Sequence, residues 1–393
     1  MKLCIAGKNN IAVDILLYAL EIVPKNDICV ITNKSETFKN NWQKSLGFFA
    51  NLLDIKIKTV EEIQKIHDLV FLSLEFDQII KPSKFKSKEL FNIHFSYLPE
   101  YKGMFTSLFP ILHGKGYSGV TLHLIDSGID TGAIIDQVKF DINNDTCGDL
   151  YYKYLSHGTR LIKKHLTKLI SGDYNSIKQS LLNSTYYSKS SFDFSKTEIN
   201  LFQTGFQISN FVNALYFRPY QLATFQGFKI YKSESFDGDA NVKVGRVIEE
   251  NDQYFIVKAI DCCVKLYKDY YDELINAIEK ENVLEINRYA GLVKDINEFD
   301  KYGWNPMIRA CFSGNQDSAI SIHNNGGDIH STNLNGTTTL MYAKSAYELK
   351  KDIRLIKYLL DQGVRPGCRD IKGKTVMDYT TDPELMSLFA QYD

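Results

Sequence analysis

The 393 residues, 44% hydrophobic and 24% charged, suffice for a sizeable core and are too many for one typical domain; three are expected. A formal net charge of -1 leaves no electrostatic footprint for tRNA, DNA or an anionic membrane surface, so neither a nucleic-acid nor a membrane partner is expected. Seven cysteines without a C-x-x-C pair fit a reduced, cytoplasmic setting, and no run reaches the ~18 apolar residues of a membrane span or forms a targeting segment. The 24 Tyr and 24 Phe supply flat, partly polar faces suited to stacking on rings.

In chain order, Lys2 to Ala6 read as a strand ended by Gly7, and Asn9 and Asn10 precede an apolar helix. Further apolar runs at Ile28 to Thr32 and Leu69 to Leu72 repeat the pattern and imply a mostly parallel, Rossmann-like α/β sheet. The segment Gly7-Lys8-Asn9-Asn10 has one glycine where the dinucleotide fingerprint has three, so NAD or FAD is not expected. Lys8 and Asn9 can offer donors to a phosphate, or simply cap the helix beside a solvated lysine.

The run Leu90 to Pro99 alternates like a strand, so Asn92 and His94 leave the same face near a carboxyl-terminal sheet edge, where ligands bind in open α/β sheets. Strands at Gly119 to Ile125 and Ala133 to Phe140 flank a Gly- and Asp-rich loop that can present Asp130 toward His94. Singly, His94 reads as a core histidine and Asp130 as a turn former; together an amide, an imidazole and a carboxylate converge. His94, His113 and His123 match no compact ligand spacing, so no metal is expected. A helix from Gly148 to Leu169 closes this domain, with His157 and His165 expected on its surface. From about Ser190 the texture changes to a helix at Ile208 to Leu215 and a small β-rich unit, with Cys262 and Cys263 packed in its last strand. In the tail, Gly303, Gly336 and Gly373 are spaced by 33 and 37 residues, and Asn305 to Ala310 and Thr338 to Ala343 loosely meet T-P-L-H-x-A, the ankyrin pattern. The extra four residues should lengthen helices around Leu349 to Leu360. The expected domains are 1–189, 190–268 and 269–393.

The block Asn92, His94, Leu98, Pro99, Tyr101, Gly103, followed by His123, Asp126, Gly128, Asp130, Thr131, Gly132, Ile134, resembles the folate-dependent formyltransferases over roughly residues 1 to 180. The resemblance implies a Rossmann-like catalytic domain with Asn92, His94 and Asp130 as the catalytic set, 10-formyltetrahydrofolate as co-substrate and no metal. It places the folate beside Ser73, Leu74, Glu75, Phe76 and Asp77, with Asp126 nearby. The stretches GKNNIAVDILL, YLPEYKGMFTSLFPILHG and YFRPYQ are similar to sugar N-formyltransferases. They imply a dTDP-linked 3- or 4-amino deoxysugar of O-antigen or lipopolysaccharide synthesis, held by Lys8, Asn9, Lys102, Gly103, Met104, Phe105, Thr106, Arg218 and Tyr220, in a cytoplasmic homodimer. The ankyrin-like tail is similar to that of a subgroup of those enzymes, and Tyr302 and Trp304 are either packing residues or a second nucleotide site. Two alternatives stand beside this reading. One is a methionyl-tRNA formyltransferase, which shares the core but calls for a basic surface; the other is an ankyrin-type adapter with an inactive core, which the intact trio opposes.

Overall fold

A computed structural model describes residues 1–238 and 241–392. The strands are β1 (Lys2–Gly7), β2 (Ile28–Thr32), β3 (Lys56–Ile57), β4 (Leu69–Leu74), β5 (Glu89–His94), the two-residue β6 (Lys102–Gly103), β7 (Tyr117–Leu124) and β8 (Ile134–Asp141). All but β6 form one sheet in the order β3-β2-β1-β4-β5-β7-β8. The first five of these are parallel, and β7 and β8 add antiparallel to the β5 edge. Leu3, Ile5, Val70, Leu72 and Phe91 enter the main core on one face, while Cys4, Cys29, Phe71 and Leu90 enter a smaller core on the other. Burial on both faces explains why these strands read as unbroken apolar runs rather than alternating ones. Strand order reverses between β1 and β4, which opens a crevice beyond their carboxyl ends. The helix Asn9–Ile22 starts there.

The helix Cys147–Ser171 covers the main face, opened by a Thr146/Asp149 capping box and closed by left-handed Gly172. His157 and His165, expected on its surface, are half-buried. His157 stacks on Phe140 with centroids 4.5 Å apart, and the His165 Nε2 lies 2.7 Å from the Asp136 carboxylate. β9 (Tyr186–Tyr187) returns to pair with β6.

Next come the helix Gly205–Leu215 and the antiparallel strands β10 (Ala223–Phe225), β11 (Phe228–Phe236), β12 (Val247–Glu250), β13 (Tyr254–Lys258) and β14 (Cys263–Lys268), ordered β10-β11-β14-β13-β12. Phe255, Val257 and Leu266 continue the main core, so this unit shares its interior with the first sheet. Cys263 is buried in β14 and Cys262 precedes it.

The tail is helical and has its own core of Leu274, Ile286, Met307, Ile322, Leu340, Ile356 and Leu385. Helices follow in pairs: Tyr271–Glu279 with Val283–Ala290, Pro306–Ser313 with Gln316–Asn324, and Thr339–Lys350 with Arg354–Asp361, before a last helix at Pro383–Phe389. Thr339–Lys350 has 12 residues against 8 in Pro306–Ser313, so the extra four lie in the first helix of that pair. The tail meets the first unit at its turns. The Asn40 amide donates to the Asn335 side chain at 2.8 Å, and Gly303 lies so close that a Cβ there would stand 2.3 Å from the Asn41 carbonyl oxygen.

Candidate active site

Period-2 geometry puts Asn92 and His94 on one face at the end of β5, and the loop between β7 and β8 returns Asp130 to them. The His94 Nε2–H donates to the Tyr101 carbonyl at 2.8 Å, so in the neutral ring Nδ1 carries the lone pair. That Nδ1 stands 3.5 Å from Asp130 Oδ2, too long for a hydrogen bond but placed to form one once the ring is protonated. Asp130 Oδ2 also accepts the Gly103 backbone N–H at 2.9 Å. The Asn92 amide donates to Asp130 Oδ1 at 3.3 Å and to His123 Nε2 at 3.1 Å. His123 can accept there because its Nδ1–H is committed to the Leu124 carbonyl at 2.7 Å.

Burial drives His94 below its ordinary pKa of 6.5, against the upward pull of Asp130. Burial would raise the Asp130 carboxyl, but His94, His123 and the Gly103 N–H outweigh it and hold that group well below the usual carboxylate range. A neutral imidazole therefore faces an ionised carboxylate, the pairing a general base needs. Five residues around the crevice, Asn9, Glu75, Tyr101, Phe105 and Asp130, have left-handed backbones with φ between 54° and 64°. Such conformations cost energy in non-glycine residues and cluster at sites whose geometry the fold over-determines.

Lys8 and Asn9 line a cleft of about 170 Å³ with Asn33, Lys39, Trp42, Gln43, Lys44 and Tyr220. The Asn33 Oδ1 there is buried and has no partner among the described residues. Gly103 serves through its backbone, Met104 is exposed, Phe105 packs edge-on to Phe194, and the Thr106 carbonyl accepts from Tyr154 at 2.9 Å. Lys102 is buried in β6.

The folate-side residues differ from expectation. β4 runs two residues past Leu72, so Ser73 and Leu74 sit in the ladder between β1 and β5 rather than in a loop free to pair with a ligand. Glu75 turns inward, where its carboxylate accepts from Asn9 at 3.2 Å and from Tyr151 at 3.0 Å; burial raises its pKa against the pull of Lys8. Phe76 packs on Phe71, Asp77 accepts from the Lys34 backbone at 2.8 Å, and Asp126 closes its own loop on Thr131 at 2.6 Å.

Arg218 also departs from the reading as a ligand donor. Its guanidinium forks onto Asp269 at 2.6 and 3.0 Å, meets Glu298 at 2.8 Å and stacks on Tyr271 at 4.2 Å, with 6% of the side chain exposed. A second cleft of about 600 Å³ lies between this cluster, Trp42 and the tail. It is the larger of the two; Asn92, His94 and Asp130 line neither, and the smaller cleft is the one that carries Lys8, Lys39 and Lys44. Tyr302 is exposed, whereas Trp304 packs between Phe312 and Tyr342 at 4.9 and 5.1 Å. Sequence reasoning missed Trp42 and Tyr151, which form an aromatic wall with Phe217 and Tyr220. It saw His123 in the motif but not that this ring fixes the Asn92 amide. Among the described residues no cluster of three His, Cys, Asp or Glu is arranged as metal ligands, and no helix is long and apolar enough to cross a membrane.

The Formyl transferase family profile matches residues 49–166. The N-formyltransferase from Helicobacter canadensis, solved with folinic acid and dTDP-3-aminofucose, is 44% identical with a TM-score of 0.64, over 68% of this chain and 99% of that one. The chain belongs to the formyltransferase family. This formyltransferase is also 46% identical to WlaRD, a sugar 3N-formyl transferase solved in the presence of dTDP and 5-N-formyl-THF, at a TM-score of 0.63 over 68% of this chain and 97% of that one. The methionyl-tRNA formyltransferase of Macrococcus caseolyticus is 27% identical, over 53% of this chain and 69% of that one.

Proposed function

We propose that this formyltransferase moves the formyl group of 10-formyltetrahydrofolate to the amine of a dTDP-linked 3- or 4-amino deoxysugar. The observation that carries the reading is the 44% identity, across 99% of its length, to an enzyme solved with a dTDP-amino sugar. The cleft beside the crevice supports it, since Lys8 and Lys39 suit a diphosphate and Trp42 and Tyr220 a planar base. A methionyl-tRNA substrate is the weaker reading, because a net charge of -1 offers little to a polyanion.

In this proposal Asn92, His94 and Asp130 are the catalytic residues. As the amine attacks the formyl carbon, His94 Nδ1 takes its proton, and the new N–H turns toward Asp130, 3.5 Å away. The ionised Asp130 stabilises the imidazolium until the proton passes to the departing folate nitrogen. Asn92 donates to the oxyanion by releasing its longer bond, the 3.3 Å contact to Asp130, while His123 keeps hold of the other amide hydrogen. We further assign the tail to an ankyrin-like array, on its 33-residue spacing and paired helices. The test is to incubate the full chain with 10-formyltetrahydrofolate and a panel of dTDP-linked amino sugars. A product of formyl mass is expected; formylation of methionyl-tRNA alone, or transfer only from other acyl donors, would overturn the proposal.

A further inference from the structure

Residues 177 to 187 cross both loops that carry the catalytic groups. Ile177 exchanges two backbone hydrogen bonds of 2.8 Å with Ile134, at the start of β8. Two residues on, the Gln179 amide donates to the carbonyls of both Asp130 and Gly132 at 2.8 Å each. Gln179 is 9% exposed, and among the described residues its Oε1 has no partner. The amide cannot be turned over, because that would set its oxygen against two carbonyl oxygens. Further along, Thr185 accepts the Tyr101 N–H on its hydroxyl at 2.7 Å and the Lys102 N–H on its carbonyl at 3.0 Å, and Tyr187 accepts the Met104 N–H at 2.8 Å.

These anchors grip the two backbone positions that set the distance between base and carboxylate. Tyr101 presents the carbonyl that holds His94 Nε2, and Asp130 turns its loop with a left-handed backbone, φ 54°. One buried amide thus ties two carbonyls of the loop that carries the Asp130 carboxylate.

We propose that Gln179 is a positioning residue for formyl transfer: it fixes the Asp130 loop, and with Thr185 at the other end of the same strap it sets the His94–Asp130 geometry. The inference deepens the proposed chemistry of that site and rests on His94 and Asp130 being its catalytic pair. The charged and titratable groups facing His94 are Asp130, His123 and Lys102, so its titration reports on their placement.

The test compares Gln179→Met, which keeps volume and removes both donors, with Thr185→Val in the full-length enzyme. Gln179→Met should lower kcat at least ~10-fold while leaving KM for both substrates within about two-fold, because positioning acts on the transition state. In the same variant the His94 imidazole, followed by NMR, should titrate lower than in the parent, since the carboxylate that raises it has moved. Thr185→Val should shift kcat in the same direction, and it carries the test if Gln179→Met does not fold. Parent-like kcat and an unmoved His94 titration in a folded Gln179→Met variant would overturn the inference. If the parent forms no formyl sugar yet the His94 titration still moves, the positioning role survives and the proposed reaction fails.

Discussion

Replacing Arg218 with Met separates a strut from a ligand donor. The side chains of Arg218 and Asp269 are 6% and 1% exposed, so the substitution leaves a carboxylate buried without its fork, and Glu298, 22% exposed, loses its 2.8 Å partner. Removing one partner of such a buried pair costs about 3–5 kcal/mol, because the remaining charge keeps its desolvation penalty. The contact with the Tyr271 ring at 4.2 Å would be lost as well. Arg218→Lys keeps the charge but not the two parallel hydrogen bonds and should fall between, at about 1–2 kcal/mol. The assay is urea denaturation followed by far-ultraviolet circular dichroism and tryptophan emission, with the midpoint for Arg218→Met expected to drop by roughly 1 M or more. If the midpoint stays at the parent value while KM for the nucleotide sugar rises steeply, Arg218 is contacting substrate after all and the strut assignment is wrong.

His94→Ala and Asp130→Ala should each lower kcat at least ~100-fold without unfolding the chain, and their losses should not multiply in the double variant, since they act as one unit; fully multiplicative losses would refute the pairing. Because burial holds the folded-state pKa of His94 below 6.5, the base is already neutral at pH 7, so kcat/KM should be flat above about 6.5 and fall as pH drops through that lowered value. The same depression means that the stability linked to His94 is complete above 6.5 and is lost as pH falls through the folded pKa, a trend acid unfolding should show. Trp42→Ala should raise KM for the nucleotide sugar by about 5- to 150-fold, the range expected for losing ~1–3 kcal/mol of base stacking, with kcat little changed. For Tyr302 and Trp304, a second nucleotide site predicts two equivalents bound per chain by calorimetry and one after Trp304→Ala; one equivalent in both leaves only the packing with Phe312 and Tyr342.

The chemistry-bearing face was readable because its signals are local. Asn92 and His94 are two apart on an alternating strand, and Asp130 sits in a loop whose glycines announce a turn, so short-range geometry sufficed to bring the three together. The parallel sheet was readable for the same reason, from apolar runs that burial on both faces demands. Arg218 was not, because what decides its role is Asp269, 51 positions away, and a glutamate in the tail; beside Phe217 and Tyr220 it reads equally well as a ligand donor. Glu75 shows the same limit: a carboxylate after a strand looks solvent-facing until Tyr151, 76 positions on, closes over it. Trp42 lies in a stretch with no helical or strand period, and only the folded chain brings it against Tyr151, Phe217 and Tyr220.

Those long-range partners also explain why the tail is not an independent appendage. Its turns land on Asn40 and Asn41, through Asn335 and through the close approach of Gly303, whose φ of 73° and missing Cβ leave no room for another residue. The next two positions of the same loop are Trp42, in the aromatic wall, and Gln43, which accepts the Asn10 N–H at 3.0 Å and donates to the Tyr151 hydroxyl at 3.2 Å. Tyr151 in turn holds Glu75 at the crevice. A second route runs from the tail's Glu298 through Arg218 to its chain neighbour Phe217, again in that wall. Two separate routes from the helical array therefore brace one surface, the wall beside the lysine-lined cleft, while Asn92, His94 and Asp130 are held from elsewhere. Loosening the tail at Gly303 or Asn335 should thus reach the cleft before it reaches His94.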